Sequence, residues 1–256
     1  MPSFRLLATA VVALALCCGL PAASLAQSFS NTQRSDIEAI VKNYLISHPE
    51  VIEEAMEALS KRQTADEEKK HEAAVAANAQ EIFNSPHSVT LGNPNGDVTF
   101  VEFFDYNCPY CKHAMGDMLT LLKTDPKLKV VLKEFPVLSQ GSVEAAQVAV
   151  AVHMQDPTGQ KYLKFHKLLL GGRGPADNAR ALADAKAAGV DMTRLAKDLK
   201  SPEINATIEE NLKLAEALGM NGTPSYVIGK QVVVGAIGLA GLREKIDFAR
   251  CGKATC

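Results

Sequence analysis

Little in this sequence points to a nucleic-acid partner or to a membrane-embedded protein. Its 256 residues carry 27 lysines and arginines against 29 aspartates and glutamates, so the formal net charge is only −2 and no basic excess indicates nucleic acid. No internal repeat is visible, and no stretch after residue 26 is long and apolar enough to cross a bilayer, so we expect a soluble mature protein. Because 47% of the residues are apolar, one domain with a real core plus an appendage is expected.

The first 26 residues have the three parts of a secretory signal peptide. A short basic start ends at Arg5, an uncharged apolar run covers residues 6–20, and the Ser-Leu-Ala sequence at 24–26 is a small-x-small cleavage site. The apolar run is short for a membrane span, so cleavage before Gln27 is favoured over an uncleaved anchor. Export implies an oxidising compartment, in which cysteines of the mature chain are expected to form disulfides.

Residues 27–83 are predicted to form an N-terminal helical extension. Between residues 31 and 83 there are 11 acidic and six basic side chains, no glycine and one proline. Two stripes of apolar residues fall at helical spacing: Ile37, Ile40, Val41, Tyr44 and Leu45, and then Val51, Ile52, Ala55, Met56 and Leu59. Two short amphipathic helices cannot bury their apolar faces on each other alone. The polar run at 60–72, either a helix or a loose connector, would keep them apart from the rest of the chain, so self-association through residues 33–60 is favoured over packing within one chain.

Residues 84–256 are predicted to form one α/β domain. A strand within residues 97–107 is largely apolar on both faces, which is typical of a central strand in a covered sheet. A helix from Lys112 to Lys123 and a second strand from Lys129 to Phe135 follow it. The remaining predicted elements are a helical block at about 141–218, short strands at 226–228 and 231–234, and a last helix at about 239–250.

The sequence Cys108-Pro109-Tyr110-Cys111 lies at the predicted junction of the first strand and helix. Cys108 would occupy the helix N-terminus, where unpaired N–H groups and the helix dipole favour a thiolate. Cys111 would lie one turn later on the same face, placed to attack a mixed disulfide at Cys108. A structural disulfide closing so few residues would constrain little chain, and structural zinc would need a second pair of ligands. The pattern therefore predicts a dithiol redox centre.

The segment from Glu102 to Lys112 resembles the active-site segment of DsbA-type thiol:disulfide oxidoreductases. That family has a thioredoxin-like fold with a helical insert, and the order of elements from about residue 86 to 250 is similar. With its N-terminal helical extension, its CPYC sequence and its Thr223-Pro224 pair, the chain is most similar to the periplasmic suppressor-of-copper-sensitivity C proteins. The resemblance implies a periplasmic enzyme without a cofactor or a metal site. Its partners would be unfolded or misdisulfided secreted proteins and a membrane redox protein that reoxidises or reduces the cysteine pair.

The resemblance also implies which residues act. Cys108 would be the attacking thiolate and Cys111 the resolving thiol. The family has an acid six residues before its first cysteine, and Glu102 occupies that place. Because Glu102 shares a strand face with Phe100 and Phe104, we expect it to be buried, with a raised pKa, and to take a proton from Cys111. An exposed strand-edge charge is the alternative.

Substrate contacts are expected around the cysteine pair. Pro224 matches the cis-proline of thioredoxin folds, which would turn the Thr223 backbone toward the sulfurs to pair with an extended substrate segment. Pro109 and Tyr110, between the two cysteines, complete the predicted substrate-binding residues. Threonine before the cis-proline resembles disulfide isomerases more than the strongest oxidases.

Three questions remain open at the level of sequence. Cys251 and Cys256 are expected to form a structural disulfide that pins the C-terminus, with a second redox pair as the alternative. The enzyme would be an isomerase or reductase if it is oligomeric, and otherwise an oxidase. A different class of function, Cu(I) binding by the thiols of Cys108 and Cys111, is the alternative to exchange chemistry because soft thiolates suit that ion.

Overall fold

The computed structural model describes residues 29–256, and the predicted signal peptide and its cleavage site lie outside these residues. The chain divides into two compact units, residues 1–60 and 61–256, and each is considered by itself. Among the described residues, no helix has the length and apolar character needed to cross a membrane.

The described part of the first unit is helical. Helix α1 (Asn31–Ser47) begins with a capping box, in which Ser30 and Gln33 each accept a hydrogen bond from the other's backbone N–H. Helix α2 (Glu50–Ala77) begins in this unit and continues through the polar run at 60–72, which is therefore helical and not a loose connector. No side chain of residues 31–60 is fully buried.

The second unit contains a five-stranded sheet with helices on both faces. Residues 61–83 belong to it and contribute Val75 and Ile82 to its core, so the predicted extension overlaps this unit. In chain order its elements are α3 (Ala79–Asn84), β1 (Val89–Gly92), β2 (Val98–Phe104), α4 (Pro109–Thr124), β3 (Leu128–Glu134), α5 (Gln140–His153), α6 (Gln160–Gly171), α7 (Asn178–Ala188), α8 (Met192–Asp198), α9 (Pro202–Ala217), β4 (Ser225–Ile228), β5 (Gln231–Val234) and α10 (Gly238–Cys251).

The sheet has the order β1-β3-β2-β4-β5, so β2 is its central strand. Strand β2 runs parallel to β3, and the other neighbouring pairs are antiparallel. Phe100 and Phe104 of β2 pack in one core cluster with the cysteine pair, whereas Val101 and Phe103 pack in a second cluster on the opposite face. This arrangement buries both faces of the strand that leads into the CPYC sequence.

One strand was missed and one helix begins earlier than predicted. Strand β1 is only four residues long and ends before an Asn-Pro-Asn-Gly turn, so its sequence carries little periodic signal; it pairs with β3 at the sheet edge. Helix α4 begins at Pro109, three residues before the predicted start, because Cys108 caps it and proline is accepted in the first turn.

Candidate active site

The cysteine pair lies where β2 leads into α4. Cys108 is the N-cap residue of the helix, and the Cys111 backbone N–H donates a hydrogen bond to its sulfur over 3.4 Å. The Cys108 thiol donates a hydrogen bond to the backbone carbonyl of Thr223, with the sulfur 3.1 Å from that oxygen. Both thiols are free, and Cys108 is 5% exposed whereas Cys111 is 0% exposed. The Cys108 sulfur is therefore the one that a substrate can reach.

The environment of Cys111 holds its proton. Burial raises the pKa of the Cys111 thiol, a backbone hydrogen bond from Asp105 opposes this, and the nearby Glu102 carboxylate and Cys108 sulfur raise it further. A thiol of this kind is a poor first nucleophile at neutral pH. It can complete an exchange once a base takes its proton during the attack.

Glu102 lies in the interior beside the cysteine pair. It is 3% exposed and occupies the β2 face between Phe100 and Phe104, so it is not the exposed strand-edge charge that the sequence also allowed. Burial raises the pKa of its carboxyl to about 8, and the negative charge of Asp117 on α4 adds to the effect. A carboxyl with this pKa can both hold and release a proton near neutral pH.

The Thr223–Pro224 peptide bond is cis, and the pair directly precedes β4. The Thr223 carbonyl accepts the hydrogen bond from Cys108 described above. The side-chain hydroxyl of Thr223 is buried and has no hydrogen-bond partner among residues 29–256. Tyr226, three residues after Thr223, pairs in register with Glu102, and burial raises the pKa of its phenol.

Asp105 holds the backbone in front of Cys108, a role that no local pattern in the sequence indicates. One carboxylate oxygen accepts hydrogen bonds from the Asn107 backbone N–H (2.8 Å) and the Ser142 hydroxyl (2.7 Å). The other accepts from the backbone N–H groups of Val137 (2.9 Å) and Leu138 (3.0 Å). The partners lie up to 37 positions away in the chain, so only the folded structure reveals the arrangement.

Exposed apolar side chains lie between the two cysteines and on the loop that Asp105 hydrogen-bonds. Tyr110 between the cysteines is 67% exposed, and Val137 and Leu138, on the loop that Asp105 holds, are 45% and 53% exposed. The sequence predicted Tyr110 as a contact residue but missed the Val137-Leu138 pair. Exposed apolar groups beside a reactive centre are typical of a protein-binding surface.

Cys251 and Cys256 are joined by a disulfide at the other end of the sheet from Cys108. Just before it, Arg250 forms salt bridges with Asp97, which precedes β2, and with Asp125, which follows α4. The cysteine pair of the active site lies after β2 and before α4. The C-terminal disulfide is therefore not part of the same site.

The fold and the position of the cysteine pair define a domain of the thioredoxin-like class. The sequence matches the family described as "DSBA-like thioredoxin domain" over residues 99–247, more than half of the chain, and the protein belongs to that family. Residues 33–65 match the family described as "Copper resistance protein ScsC N-terminal domain". The predicted fold class, a thioredoxin-like fold with a helical insert after an N-terminal helical region, is confirmed.

Two solved structures and one curated protein illustrate the similarity to oxidoreductases of this family. A thioredoxin-like oxidoreductase from Silicibacter pomeroyi is 42% identical, with a TM-score of 0.63 over 67% of this chain and 96% of that one. Proteus mirabilis ScsC in a transitional conformation is 28% identical, with a TM-score of 0.64 over 88% of this chain and 98% of that one. The thiol:disulfide interchange protein DsbA of Bordetella pertussis is 25% identical over 174 residues, which cover 66% of this chain and 80% of that protein.

Some relatives are much longer than this chain. The Na(+)/H(+) antiporter NhaA 1 of Salinispora arenicola is 25% identical over 161 residues, which make up 63% of this chain and 24% of the antiporter. The chain spans about a quarter of the length of that protein and of the NhaA of Herminiimonas arsenicoxydans.

Proposed function

We propose that the protein is a periplasmic thiol:disulfide oxidoreductase that rearranges or reduces wrong disulfides in secreted proteins. The observation that carries the proposal is the difference between the two thiols. Cys108 caps a helix and is the more accessible sulfur, whereas Cys111 is fully buried with a raised pKa. One thiol is suited to begin an exchange and the other to end it. Export would follow from cleavage of residues 1–26 before Gln27.

The reaction begins on the reduced protein. The Cys108 thiolate attacks a substrate disulfide, a mixed disulfide forms, and one substrate sulfur leaves as a thiolate. That thiolate can then attack another substrate disulfide and release a different substrate thiolate, which attacks the mixed disulfide and frees Cys108. The result is isomerisation without a net change of electrons. Alternatively, Cys111 attacks the Cys108 sulfur, the substrate leaves as a dithiol with two electrons gained, and the protein is left with a Cys108–Cys111 disulfide.

Glu102 is proposed to accept the Cys111 proton in this second route. Its negative charge raises the pKa of the Cys111 thiol, and a pKa of about 8 makes the carboxylate a stronger base than an ordinary glutamate. At pH 7 a minor part of the carboxyl is ionised, and this fraction grows as the pH approaches 8. In the reverse direction the protonated carboxyl returns the proton to Cys111.

Substrates are proposed to bind across the cysteine pair and the cis-proline segment. The Thr223 carbonyl lies against the Cys108 sulfur, and the Thr223 hydroxyl has no hydrogen-bond partner in the described part of the chain. An extended substrate segment could hydrogen-bond there while its side chains contact Pro109, Tyr110 and the exposed Leu138. Unfolded proteins present such extended and apolar segments. A membrane redox protein is proposed to restore the cysteine pair to its working state.

Isomerase activity is proposed to depend on self-association through residues 33–60. The described residues 29–60 leave these apolar stripes uncovered: Ile40 and Met56 are each 67% exposed, and Leu59 is 53% exposed. Such stripes at helical spacing are suited to helix–helix packing between copies of the chain. Several active sites would then act on one bound substrate.

Refolding of scrambled ribonuclease A tests the function. Wild-type protein, with a small amount of reduced thiol in the assay, should restore nuclease activity. The Cys108→Ser variant should not restore it, and the Cys251→Ser/Cys256→Ser variant should restore as much as the wild type. The double variant Ile40→Glu/Met56→Glu should be monomeric by light scattering, with isomerase activity lowered but thiol oxidation retained. Equal recovery with the Cys108→Ser variant would contradict the exchange mechanism. Full isomerase activity of a monomer would contradict the role of the extension.

Cu(I) binding by the same two thiols is the second candidate, and the match of residues 33–65 to a family named for copper resistance favours testing it. The raised pKa of Cys111 argues against it, because a coordinating thiol must lose its proton. Anaerobic titration with Cu(I) and competition by bathocuproine decides between the two. Copper retained by the wild type and lost by the Cys111→Ser variant would favour metal binding.

A further inference from the structure

The side chain of Asn107, the residue directly before Cys108, forms hydrogen bonds with the helical insert. Its carbonyl oxygen accepts a hydrogen bond from the Ala176 backbone N–H (2.7 Å), and its amide nitrogen donates to the Ala176 carbonyl (2.9 Å). The same nitrogen also donates to the Ser142 hydroxyl at 3.1 Å. The amide thus pairs with one backbone residue 69 positions away, as two strands of a sheet would.

The loop that Asn107 contacts, residues 172–177 between α6 and α7, is itself held firmly. The Arg180 guanidinium donates hydrogen bonds to the carbonyls of Arg173 (3.0 Å) and Gly174 (2.7 Å) and to that of Leu169. A Cβ on Gly141 would lie 2.9 Å from the Ala176 carbonyl oxygen, which shows how closely α5 approaches the loop. This loop is therefore a firm anchor for the Asn107 side chain.

A second contact joins the same loop to the active-site helix. The Lys112 ammonium group donates a hydrogen bond to the Gly172 carbonyl over 2.9 Å. The CPYC sequence is thus attached to residues 172–177 on both sides, through Asn107 before it and through Lys112 after it. The Asn107 contact is the more buried of the two, so it has less competition from water.

We infer that Asn107 is a positioning residue that ties Cys108 to the helical insert and thereby favours the disulfide form of the pair over the dithiol form. In the disulfide form, the covalent bond to Cys111 itself fixes the Cys108 sulfur. In the dithiol form, only the backbone and the hydrogen bonds to Cys111 and Thr223, at 3.4 and 3.1 Å, hold it. Restraint of the preceding residue therefore removes freedom mainly from the dithiol form, so less conformational entropy is lost when the disulfide closes. The inference rests on the proposed redox function and adds what sets its equilibrium.

Equilibration of the full-length protein with glutathione tests the inference. The reaction is protein dithiol plus oxidised glutathione giving protein disulfide plus two reduced glutathione molecules. The Asn107→Ala variant loses the hydrogen bonds of the side chain, and we expect the disulfide form to become about tenfold less favoured in this equilibrium. That corresponds to a reduction potential higher by about 30 mV. The Asn107→Asp variant keeps the acceptor for the Ala176 N–H, so its equilibrium constant should lie between those of the wild type and the alanine variant. If the alanine variant does not fold, the aspartate variant provides the test.

The Asn211→Ala variant is the matched control. Asn211 is 3% exposed and accepts a hydrogen bond from Lys133, away from the cysteine pair, so its loss should lower the unfolding temperature without moving the redox equilibrium. An equilibrium constant of the Asn107 variants within twofold of the wild-type value would overturn the inference and leave the proposed function intact. An equal shift of that constant in the Asn211 variant would do the same. A wild-type protein whose thiols do not exchange with glutathione would instead overturn the proposed function.

Discussion

Replacing Glu102 with glutamine is expected to make the protein progressively more stable relative to the wild type as the pH rises from 4.5 to 8. The native carboxyl has a pKa of about 8 because it is buried, whereas an exposed glutamate in the unfolded chain titrates near 4.5. Below pH 4.5 the carboxyl is protonated in both states. Between pH 4.5 and 8 the unfolded chain releases the proton and the native protein keeps it, so the wild type loses stability as pH rises.

The size of the effect follows from the two pKa values. Each pH unit in this window costs about 1.4 kcal/mol of unfolding free energy, so the loss at pH 7 is about 3 kcal/mol relative to pH 4.5. The glutamine variant does not titrate and avoids this loss. Its stability relative to the wild type should therefore grow steadily across the window, whatever constant cost the amide itself adds.

Urea unfolding of both proteins between pH 4.5 and 8, with the thiols kept reduced, measures this difference. Other titrating groups are common to both proteins and cancel in the comparison. The Glu244→Gln variant, at an exposed position on α10, is the control and should run parallel to the wild type. Parallel curves for Glu102→Gln, with a difference that stays constant within about 0.5 kcal/mol, would refute the argument that burial holds the proton on this carboxyl.

Two further predictions concern the end of the sheet away from the active site. The Arg250→Met variant removes charged hydrogen bonds to Asp97 and Asp125, at 2.9 and 2.8 Å. Urea unfolding should show an unfolding free energy lower by about 1–2 kcal/mol. The redox equilibrium with glutathione should not change. The Cys251→Ser/Cys256→Ser variant should lose about 2 kcal/mol at most, because the disulfide closes a short loop, and should keep full exchange activity with a model disulfide; lost activity would assign that pair a redox role.

The parts of the site that depend on local pattern could be predicted from the sequence. Alternation along β2 placed Glu102 on the same face as Phe100 and Phe104, and the structure buries all three. The junction of a strand and a helix likewise placed Cys108 at a helix N-terminus, where it is the N-cap residue. These features follow from side-chain periodicity and from the groups left unpaired at a helix end.

The parts that depend on distant contacts could not be predicted. Asn107 precedes Cys108 in an ordinary turn, and nothing local indicates that its amide pairs with the backbone of Ala176. The same holds for the loop of Val137, which Asp105 holds across 32 positions. Strand β1 was missed for a related reason, since four residues at a sheet edge are specified by pairing with β3 more than by their own sequence.

Trapping of mixed disulfides tests most directly whether Cys108 begins the exchange and Cys111 ends it. A peptide with one disulfide is mixed with the reduced Cys111→Ala or Cys108→Ala variant, and the adducts are identified by mass spectrometry without reductant. The Cys111→Ala variant should accumulate an adduct on Cys108, because no resolving thiol remains, and the Cys108→Ala variant should accumulate almost none, because Cys111 is buried and keeps its proton. Equal adducts on the two variants, or an adduct on Cys111 alone, would contradict the division of roles between the two thiols.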